Sequence, residues 1–86
     1  MRMSRSVFTV LHRRMCDQLV QARKSRNLTQ IELARQLGRH QSFVSKLERG
    51  DRRIDIVELL EILAVLGVDP ASFVRELSQH RKKDRK

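Results

Sequence analysis

The segment of residues 29–50, TQIELARQLGRHQSFVSKLERG, constrains the fold more than any other part of the chain. Apolar residues recur at spacings of three and four on both sides of Gly38, which predicts two short amphipathic helices joined by a tight turn. Thr29 and Glu32 have the spacing of a capping box, so the first of these helices is expected to begin there. Gly50 closes the second helix, as glycine commonly does after a helix.

The same spacing continues on both sides of this segment and predicts an all-α fold of five helices. The first helix is expected to begin near Thr9 and to run to Ser25. The fourth is expected to begin at Asp55 and, as the most apolar of the five, to be the central helix of the core. The Asp69–Pro70 pair predicts the start of the fifth, because aspartate is a good cap and proline suits the first helical position.

Length and charge limit the kinds of protein that this chain can be. One small domain is all that 86 residues can build, and a net charge of +9 favours a polyanionic partner. Cys16 is the single cysteine, so no disulfide forms within one chain, and we expect it to be buried. No apolar run is long enough to span a membrane and the N-terminus is too charged for a signal peptide, so we expect a cytoplasmic protein.

We divide the chain into three parts. Residues 1–8 are interpreted as an N-terminal arm, residues 9–79 as the folded domain, and residues 80–86 as a basic tail. The tail, HRKKDRK, has no apolar anchor and is expected to be frayed or disordered. Its basic residues either add nonspecific affinity for DNA or only keep the chain soluble.

The second helix of the central segment has two distinct faces. Val44 and Leu47 are three residues apart and must face the core, so the opposite face is polar and carries Gln41, Ser42, Ser45 and Lys46. The major groove of DNA admits one helix, and its entry requires such a polar face. The small residue Ala34 should let the two helices approach closely, and Gly38 should provide the sharp turn, which needs a positive φ. A bulky residue at either position should push the two helices apart.

Each polar group on this face suits a DNA contact. The Gln41 amide can pair with adenine through two hydrogen bonds, and Lys46 can reach guanine O6 and N7. Gln30 lies at a helix N-terminus, where the dipole favours a phosphate. Further DNA contacts are expected from the cap, the turn and the arginines that follow: Thr29, Arg39, His40, Arg49, Arg52 and Arg53. Taken singly, such polar residues are more often only solvated; their combination with the capping and glycine pattern favours DNA binding.

The sequence resembles the lambda-repressor-like family of helix-turn-helix regulators, of the Cro/cI and xenobiotic-response-element type. The matching segments are LTQIELARQLG at 28–38, QSFVSKLERG at 41–50 and LGVDP at 66–70. This resemblance implies a five-helix domain with the helix-turn-helix at helices 2–3. It also implies a sequence-specific regulator, most often a repressor, that binds a palindromic operator as a homodimer.

The resemblance assigns roles to individual residues. Gln30 matches a glutamine that binds phosphate and braces the first recognition glutamine, here Gln41. An ion pair between Arg23 and Glu48 is implied as well. Two departures are notable. His40 stands where Ser or Thr commonly caps the recognition helix. Asn27 stands where glycine is usual, and it is expected to end the first helix in a left-handed turn, which Asn tolerates.

Two apolar features have alternative explanations. Phe43 is expected either to pack against the body or to stack on a base, with packing favoured. The fifth helix carries more apolar residues than packing on one side needs, so we expect a dimer interface at Phe73, Val74 and Leu77; the alternative is that these are core residues.

Other functions are less well supported by the sequence. An antitoxin that masks a toxin is expected to carry a long amphipathic extension, which residues 78–86 do not provide. His12, His40 and His80 are scattered and Cys16 has no histidine at ligand spacing, so neither an enzyme nor a metal or other cofactor is expected. No small-molecule ligand is evident. A nonspecific RNA-binding protein is expected to have stacking aromatics, which this chain lacks.

Overall fold

The computed structural model describes the backbone of residues 5–84 and the side chains of residues 10–79. Over these residues the fold is all-α, as predicted, with no strand. The five helices are α1 (Arg5–Ser25), α2 (Gln30–Leu37), α3 (Gln41–Arg49), α4 (Ile56–Leu66) and α5 (Pro70–Asp84). Within the described residues, no helix combines the length and apolar character needed to cross a membrane.

The caps predicted from the sequence are present. At the start of α2, the Thr29 N–H donates to the Glu32 carboxylate at 2.8 Å, and the Glu32 N–H donates to the Thr29 hydroxyl at 3.1 Å. Asp55 and Glu58 form the same reciprocal pair at the start of α4. Asn27 has a φ of 58°, which confirms the left-handed turn expected after α1.

The first and last helices, α1 and α5, are longer than the sequence predicted. α1 begins at Arg5 rather than near Thr9, and α5 continues to Asp84 through most of the segment expected to be frayed. Neither extension contains a proline or glycine that would stop a helix, and basic residues at a helix C-terminus interact favourably with its dipole. The arm boundary after residue 8 and the tail boundary after residue 79 therefore do not coincide with helix ends. Residues 1–4 and 85–86, with Arg2, Arg85 and Lys86, lie outside the described part.

The core lies where α1, α3, α4 and α5 turn their apolar faces toward α2 and one another. Its most deeply buried side chains are Cys16, Val44, Leu47, Ile62, Leu63 and Leu66. Ala34 is 2% exposed within this cluster, so its small side chain lies where α2 meets its neighbours. The packing of α2 on α3 is the most extensive between any two helices, and it fixes the helix-turn-helix as a unit.

α4 was predicted to be the central helix, and it supplies Leu59, Ile62, Leu63 and Leu66 to the buried core. Only one face of α4 is buried, whereas Ile56, Val57 and Leu60 on the other face are 63%, 61% and 44% exposed. Its principal contact is with α2. A count of apolar residues does not divide them between the faces of a helix; in the structure α4 has one buried face and one apolar exposed side.

Arg13 of α1 and Arg26, the residue that directly follows α1, cap the C-termini of α3 and α4. Arg13 donates to the carbonyl oxygens of Glu48 and Arg49, and Arg26 donates to that of Leu66 at 2.9 Å. Carbonyls in the last turn of a helix lack partners within the helix, and a cation there also interacts favourably with the helix dipole. α1 and the turn that follows it therefore hold the ends of two other helices.

The glycines that end these helices serve different purposes. A Cβ atom at Gly50 would lie 2.7 Å from Arg13 Nη2, so this glycine leaves room for the arginine cap. A Cβ atom at Gly38 would meet nothing within 4 Å, so the expectation that a larger residue there would push α2 and α3 apart is wrong. Gly38 is required for its φ of 68°, which other residues adopt at a cost.

Leucine substitutions on the two faces of α4 test this arrangement. Leu63→Ala, at a fully buried position, should lower the free energy of unfolding by about 2–5 kcal/mol because it leaves a cavity. Leu60→Ala, on the exposed side of the same helix, should change it by less than about 1 kcal/mol. Urea denaturation followed by circular dichroism measures both. Equal losses for the two variants would contradict an α4 with a single buried face.

Candidate nucleic-acid interface

α3 is anchored by one face and presents the other. Val44 and Leu47 are 0% and 1% exposed, as their spacing predicted. Gln41, Ser42 and Lys46 are exposed on the opposite side, and Ser45 is half-buried. The Arg39 N–H donates to the Ala34 carbonyl oxygen at 2.9 Å, which closes the turn between α2 and α3 around Gly38.

His40 caps α3 through its ring. Its Nδ1 atom accepts from the Ser42 N–H at 3.2 Å and lies 3.0 Å from the Ser42 hydroxyl oxygen. The imidazole thus takes the place of the Ser or Thr that the resemblance leads one to expect, provided that Nδ1 carries no proton. As a result, His40 and Ser42 are held against each other at the start of the helix.

The ion pair expected between Arg23 and Glu48 is present and nearly buried. Arg23 Nε donates to Glu48 Oε2 at 2.7 Å, and Nη2 donates to Oε1 at 3.0 Å. The two side chains are 11% and 7% exposed. The third nitrogen of the guanidinium group, Nη1, donates to the Leu28 carbonyl oxygen at 2.7 Å. The pair therefore ties the end of α1 to both the α1–α2 turn and α3.

A chain of hydrogen bonds leads from this pair to the exposed end of α3. Gln30 Nε2 donates to Glu48 Oε1 at 2.9 Å, and Gln41 Nε2 donates to Gln30 Oε1 at 2.9 Å. The resemblance implied the contact between the two glutamines and, separately, the ion pair. The link through Glu48 was missed, and no spacing in the sequence signals it because it depends on three side chains meeting in space.

A second cluster surrounds the half-buried Phe43. The guanidinium carbons of Arg39 and Arg52 lie 4.3 and 4.7 Å from the centre of its ring, within the range of cation–π attraction. Both arginines also pair with Glu58, at 3.4 and 3.1 Å. Phe43 packs against the core cluster, as was favoured. The ion pairs of Glu58 were not predicted from the sequence.

Two carboxylates near the interface have lowered pKa values. For Glu58, the hydrogen bond from Arg52 is the main cause, followed by the bond from the Asp55 N–H. For Glu32, the bond from the Thr29 N–H lowers the pKa most, followed by the bond with the Thr29 hydroxyl. The capping box thus stabilises the charged form of Glu32, whereas the charged form of Glu58 is stabilised mainly by Arg52 and, to a lesser extent, by its capping box.

The other predicted DNA-contact residues are Arg49 and Arg53, at the end of α3 and in the loop after it, and Thr29 at the start of α2. Arg49 Nε pairs with Asp51 at 2.8 Å, and its Nη1 donates to the Ser45 hydroxyl at 3.1 Å. Arg53 is exposed, and Thr29 is exposed with its hydroxyl in the capping box. The structure thus brings the predicted residues to one side of α2 and α3 and to the loop that follows α3.

Two expectations outside this surface need correction. His12 and Cys16 are four residues apart on one face of α1, so the statement that Cys16 lacks a histidine at suitable spacing was wrong: Nε2 lies 3.8 Å from Sγ. Cys16 is fully buried, and burial raises the pKa of its thiol, which disfavours the reactive thiolate. The described residues contain no group of three or more His, Cys, Asp or Glu that could hold a metal ion.

Phe73 is not the exposed interface residue that the sequence predicted. It is 3% exposed, and its carbonyl oxygen accepts from Gln18 Nε2 at 3.1 Å. This aromatic ring completes the core between α5 and α1, which is the alternative explanation given above for such residues. Val74 is 52% exposed and Leu77 is half-buried, so these two remain available at the surface.

Two short helices joined by a tight turn, with the second anchored behind and polar in front, define a helix-turn-helix protein. A family model for the helix-turn-helix, HTH_3, matches residues 19–73. The chain belongs to this family of DNA-binding transcription regulators, which are not enzymes, and specifically to its XRE type.

Solved structures with this fold agree with the assignment. An XRE-family like protein from Pseudomonas syringae pv. tomato is 36% identical; the match covers 87% of this chain and 92% of that one, with a TM-score of 0.83. A mutant of the restriction-modification controller protein C.Esp1396I is 26% identical over 85% of this chain and 92% of that one, with a TM-score of 0.76. The same controller, as a tetramer with its natural 35 base-pair operator, matches at 25% identity over 80% and 91% of the two chains, with a TM-score of 0.73. No curated protein sequence matches the chain.

The lowered pKa of Glu58 predicts how stability depends on pH. Because the folded-state pKa lies below the ordinary value of 4.5, the stabilisation is present above that pH and is lost as the pH falls through the folded-state value. Glu58→Gln should therefore be less stable than the wild type at pH 7, and the difference should shrink below pH 4.5. Urea midpoints at several pH values measure this.

Glu61→Gln provides the control for this experiment, since Glu61 is an exposed glutamate on the same helix. Its unfolding free energy should stay within about 0.5 kcal/mol of the wild type at pH 7. A difference between the wild type and Glu58→Gln that stays constant down to pH 3 would show that the ion pairs of Glu58 do not stabilise the fold.

Proposed function

We propose that this regulator binds a palindromic operator as a homodimer and represses transcription by blocking access to a promoter. The observation that carries the proposal is the exposed Gln41 amide, held in place by Gln30 at the start of a helix whose other face is buried. An amide that is ordered before binding loses less conformational entropy when it contacts a base. As a transcription regulator without a helix able to span a membrane among its described residues, the protein would work in the cytoplasm.

The first turn of α3 would read the bases. Helix-turn-helix proteins direct the N-terminal residues of the second helix at base edges in the major groove. Gln41 and Ser42 occupy that turn, and Lys46 lies one turn further along the same face. Ser45 would contribute at the edge of the groove.

Residues on both sides of α3 would contact the DNA backbone. Gln30 lies in the first turn of α2, where backbone N–H groups and the helix dipole favour a phosphate. Arg39 and Arg52 are held on Phe43, and their pairing with one carboxylate leaves a net positive charge at that position. The remaining proposed backbone contacts are Thr29, His40, Arg49 and Arg53.

A second copy of the chain is the proposed partner. One module makes few base contacts, and two-fold dimers strengthen binding by reading half-sites about one helical turn, ~34 Å, apart. The operator complex of the controller protein C.Esp1396I contains a tetramer, which supports assembly in this chain as well. The exposed Val74 and the half-buried Leu77 of α5 are the proposed contact residues.

Selection from random duplexes tests the base-reading role of Gln41. The wild type should select a two-fold symmetric sequence, and Gln41→Ala should relax the preference at one base pair in each half-site by about 1–3 kcal/mol. Gln79→Ala removes an exposed glutamine from α5 and should leave the selected sequence unchanged. If Gln41→Ala weakens binding to all duplexes equally, Gln41 does not read a base.

Charge substitutions on α5 and α4 test the dimer interface. Val74→Glu should weaken self-association about tenfold or more, because an unpaired carboxylate is costly to bury. Val57→Glu introduces the same charge on the exposed side of α4 and should leave self-association unchanged if α5 is the interface. Sedimentation equilibrium measures both. The opposite result would place the interface on α4.

A further inference from the structure

The hydrogen-bond chain from Glu48 to Gln41 has a fixed direction. A carboxylate can only accept, and the Glu48 carboxylate accepts from the Arg23 guanidinium group at 2.7 and 3.0 Å and from Gln30 Nε2 at 2.9 Å. An amide has a donating and an accepting side, so the orientation of Gln30 is set by what lies behind it. Its NH2 group must face Glu48, and its oxygen must face Gln41.

The same constraint passes to Gln41. Because the Gln30 oxygen can only accept, Gln41 must turn its Nε2 group toward it, as the 2.9 Å bond shows. One N–H of Gln41 is thereby used. Its second N–H and its carbonyl oxygen remain for a base, with the nitrogen on the side of Gln30 and the oxygen away from it. Without the carboxylate, both amides could rotate by half a turn and exchange these positions.

The orientation of the Gln41 amide determines which purine it accepts. Adenine presents an acceptor, N7, beside a donor, N6–H, whereas guanine presents two acceptors, N7 and O6. When Gln41 Nε2 lies against N7 and its oxygen against the exocyclic group, adenine gains two hydrogen bonds. Guanine in the same place gains one and brings O6 against the amide oxygen. The reversed amide would oppose adenine at both positions and would offer an N–H to guanine O6.

We propose that Glu48 is a specificity-determining positioning residue, whose carboxylate imposes a preference for adenine over guanine at the base pair read by Gln41. The inference rests on the proposed function, since it concerns how that site distinguishes bases. Glu48 itself is buried and acts through Gln30. Glu48 thus has two roles: its hydrogen bond with Gln30 orients the Gln41 amide, and its ion pair with Arg23 joins α3 to α1.

Glu48→Gln should weaken or reverse the donor-to-acceptor order of the hydrogen bonds that link Gln41, Gln30 and residue 48. Arg23 offers only N–H groups, so the amide introduced by the substitution must turn its one oxygen toward the guanidinium group. The introduced NH2 group then faces Gln30, whose oxygen turns toward it and whose NH2 group turns toward Gln41. In this arrangement the Gln41 oxygen faces Gln30, which is the orientation that opposes adenine.

The experiment compares two duplexes by fluorescence anisotropy. One is the operator selected by the wild type, and the other carries G·C in place of A·T at the base pairs that Gln41→Ala identifies. The wild type should prefer the adenine duplex by about 5- to 150-fold, the range expected for one bidentate contact. Glu48→Gln should lower this ratio by about tenfold, while its binding to the guanine duplex weakens much less or improves.

Arg23→Lys is the matched control, because it weakens the ion pair and leaves the carboxylate as an acceptor. It should lower the unfolding temperature and keep the adenine preference. If Glu48→Gln does not fold, the double substitution Arg23→Met with Glu48→Leu replaces it, since buried ion pairs are often exchanged for apolar residues without loss of stability. That variant should also lose most of the preference, because nothing then orients Gln30.

Each outcome is decisive. A wild type that binds all duplexes equally overturns both the proposed function and this inference, because there is then no base preference for Glu48 to impose. A wild type that prefers guanine at the Gln41 base pair, or an adenine preference that survives in the folded Glu48 variants, overturns only the inference. An equal loss of the adenine preference in Arg23→Lys and Glu48→Gln also overturns it. The preference would then depend on the rigidity of the ion pair and not on the orientation of the Gln30 and Gln41 amides.

Discussion

The buried pair between Arg23 and Glu48 is the interaction on which the rest of the interface depends. It joins the last turn of α1 to the last turn of α3, and its third nitrogen holds the Leu28 carbonyl oxygen just before α2. Two buried charges cost a large desolvation energy, so the pair contributes little net stability compared with apolar residues of similar volume. The pair instead fixes the orientation of α3 relative to α1, because a bidentate guanidinium–carboxylate contact sets both distance and angle. The helix that must present an exposed polar face is thereby positioned from behind.

Part of the positive charge of the chain is engaged in contacts within the fold. Arg13 and Arg26 complete the ends of α3 and α4, Arg23 holds α3, and Arg39 and Arg52 share Glu58. A net charge of +9 correctly pointed to a polyanionic partner, although the charge count alone does not distinguish an arginine that contacts DNA from one that caps a helix. In a domain with a thin core, Arg13 and Arg26 reach carbonyl oxygens on two other helices and add contacts that apolar residues alone would not supply.

The local features of the fold could be predicted from the sequence, and several long-range ones could not. Capping boxes, the left-handed Asn27 and the two faces of α3 depend on residues a few positions apart, so spacing predicts them. The exposed side of α4 and the burial of Phe73 depend on which helices meet in three dimensions, and an apolar count carries no such information. The resemblance to a known family supplied the Arg23–Glu48 pair. It did not supply its connection to Gln30 or the arginines that flank Phe43, because these depend on side-chain reach across separate helices.

Order in α3 is distributed unevenly, and this bears on how the face would read DNA. Gln41 is fixed through Gln30, and the Ser42 hydroxyl lies against the His40 ring, so the first turn is ordered before any partner arrives. Lys46 is exposed on a long and flexible side chain, which loses more entropy when it is held. An ordered first turn favours discrimination between bases, because a wrong base cannot be accommodated by a simple rotation. The flexible Lys46, one turn later, contributes more to the attraction of DNA than to discrimination between bases. The first turn of α3 should therefore determine most of the sequence preference.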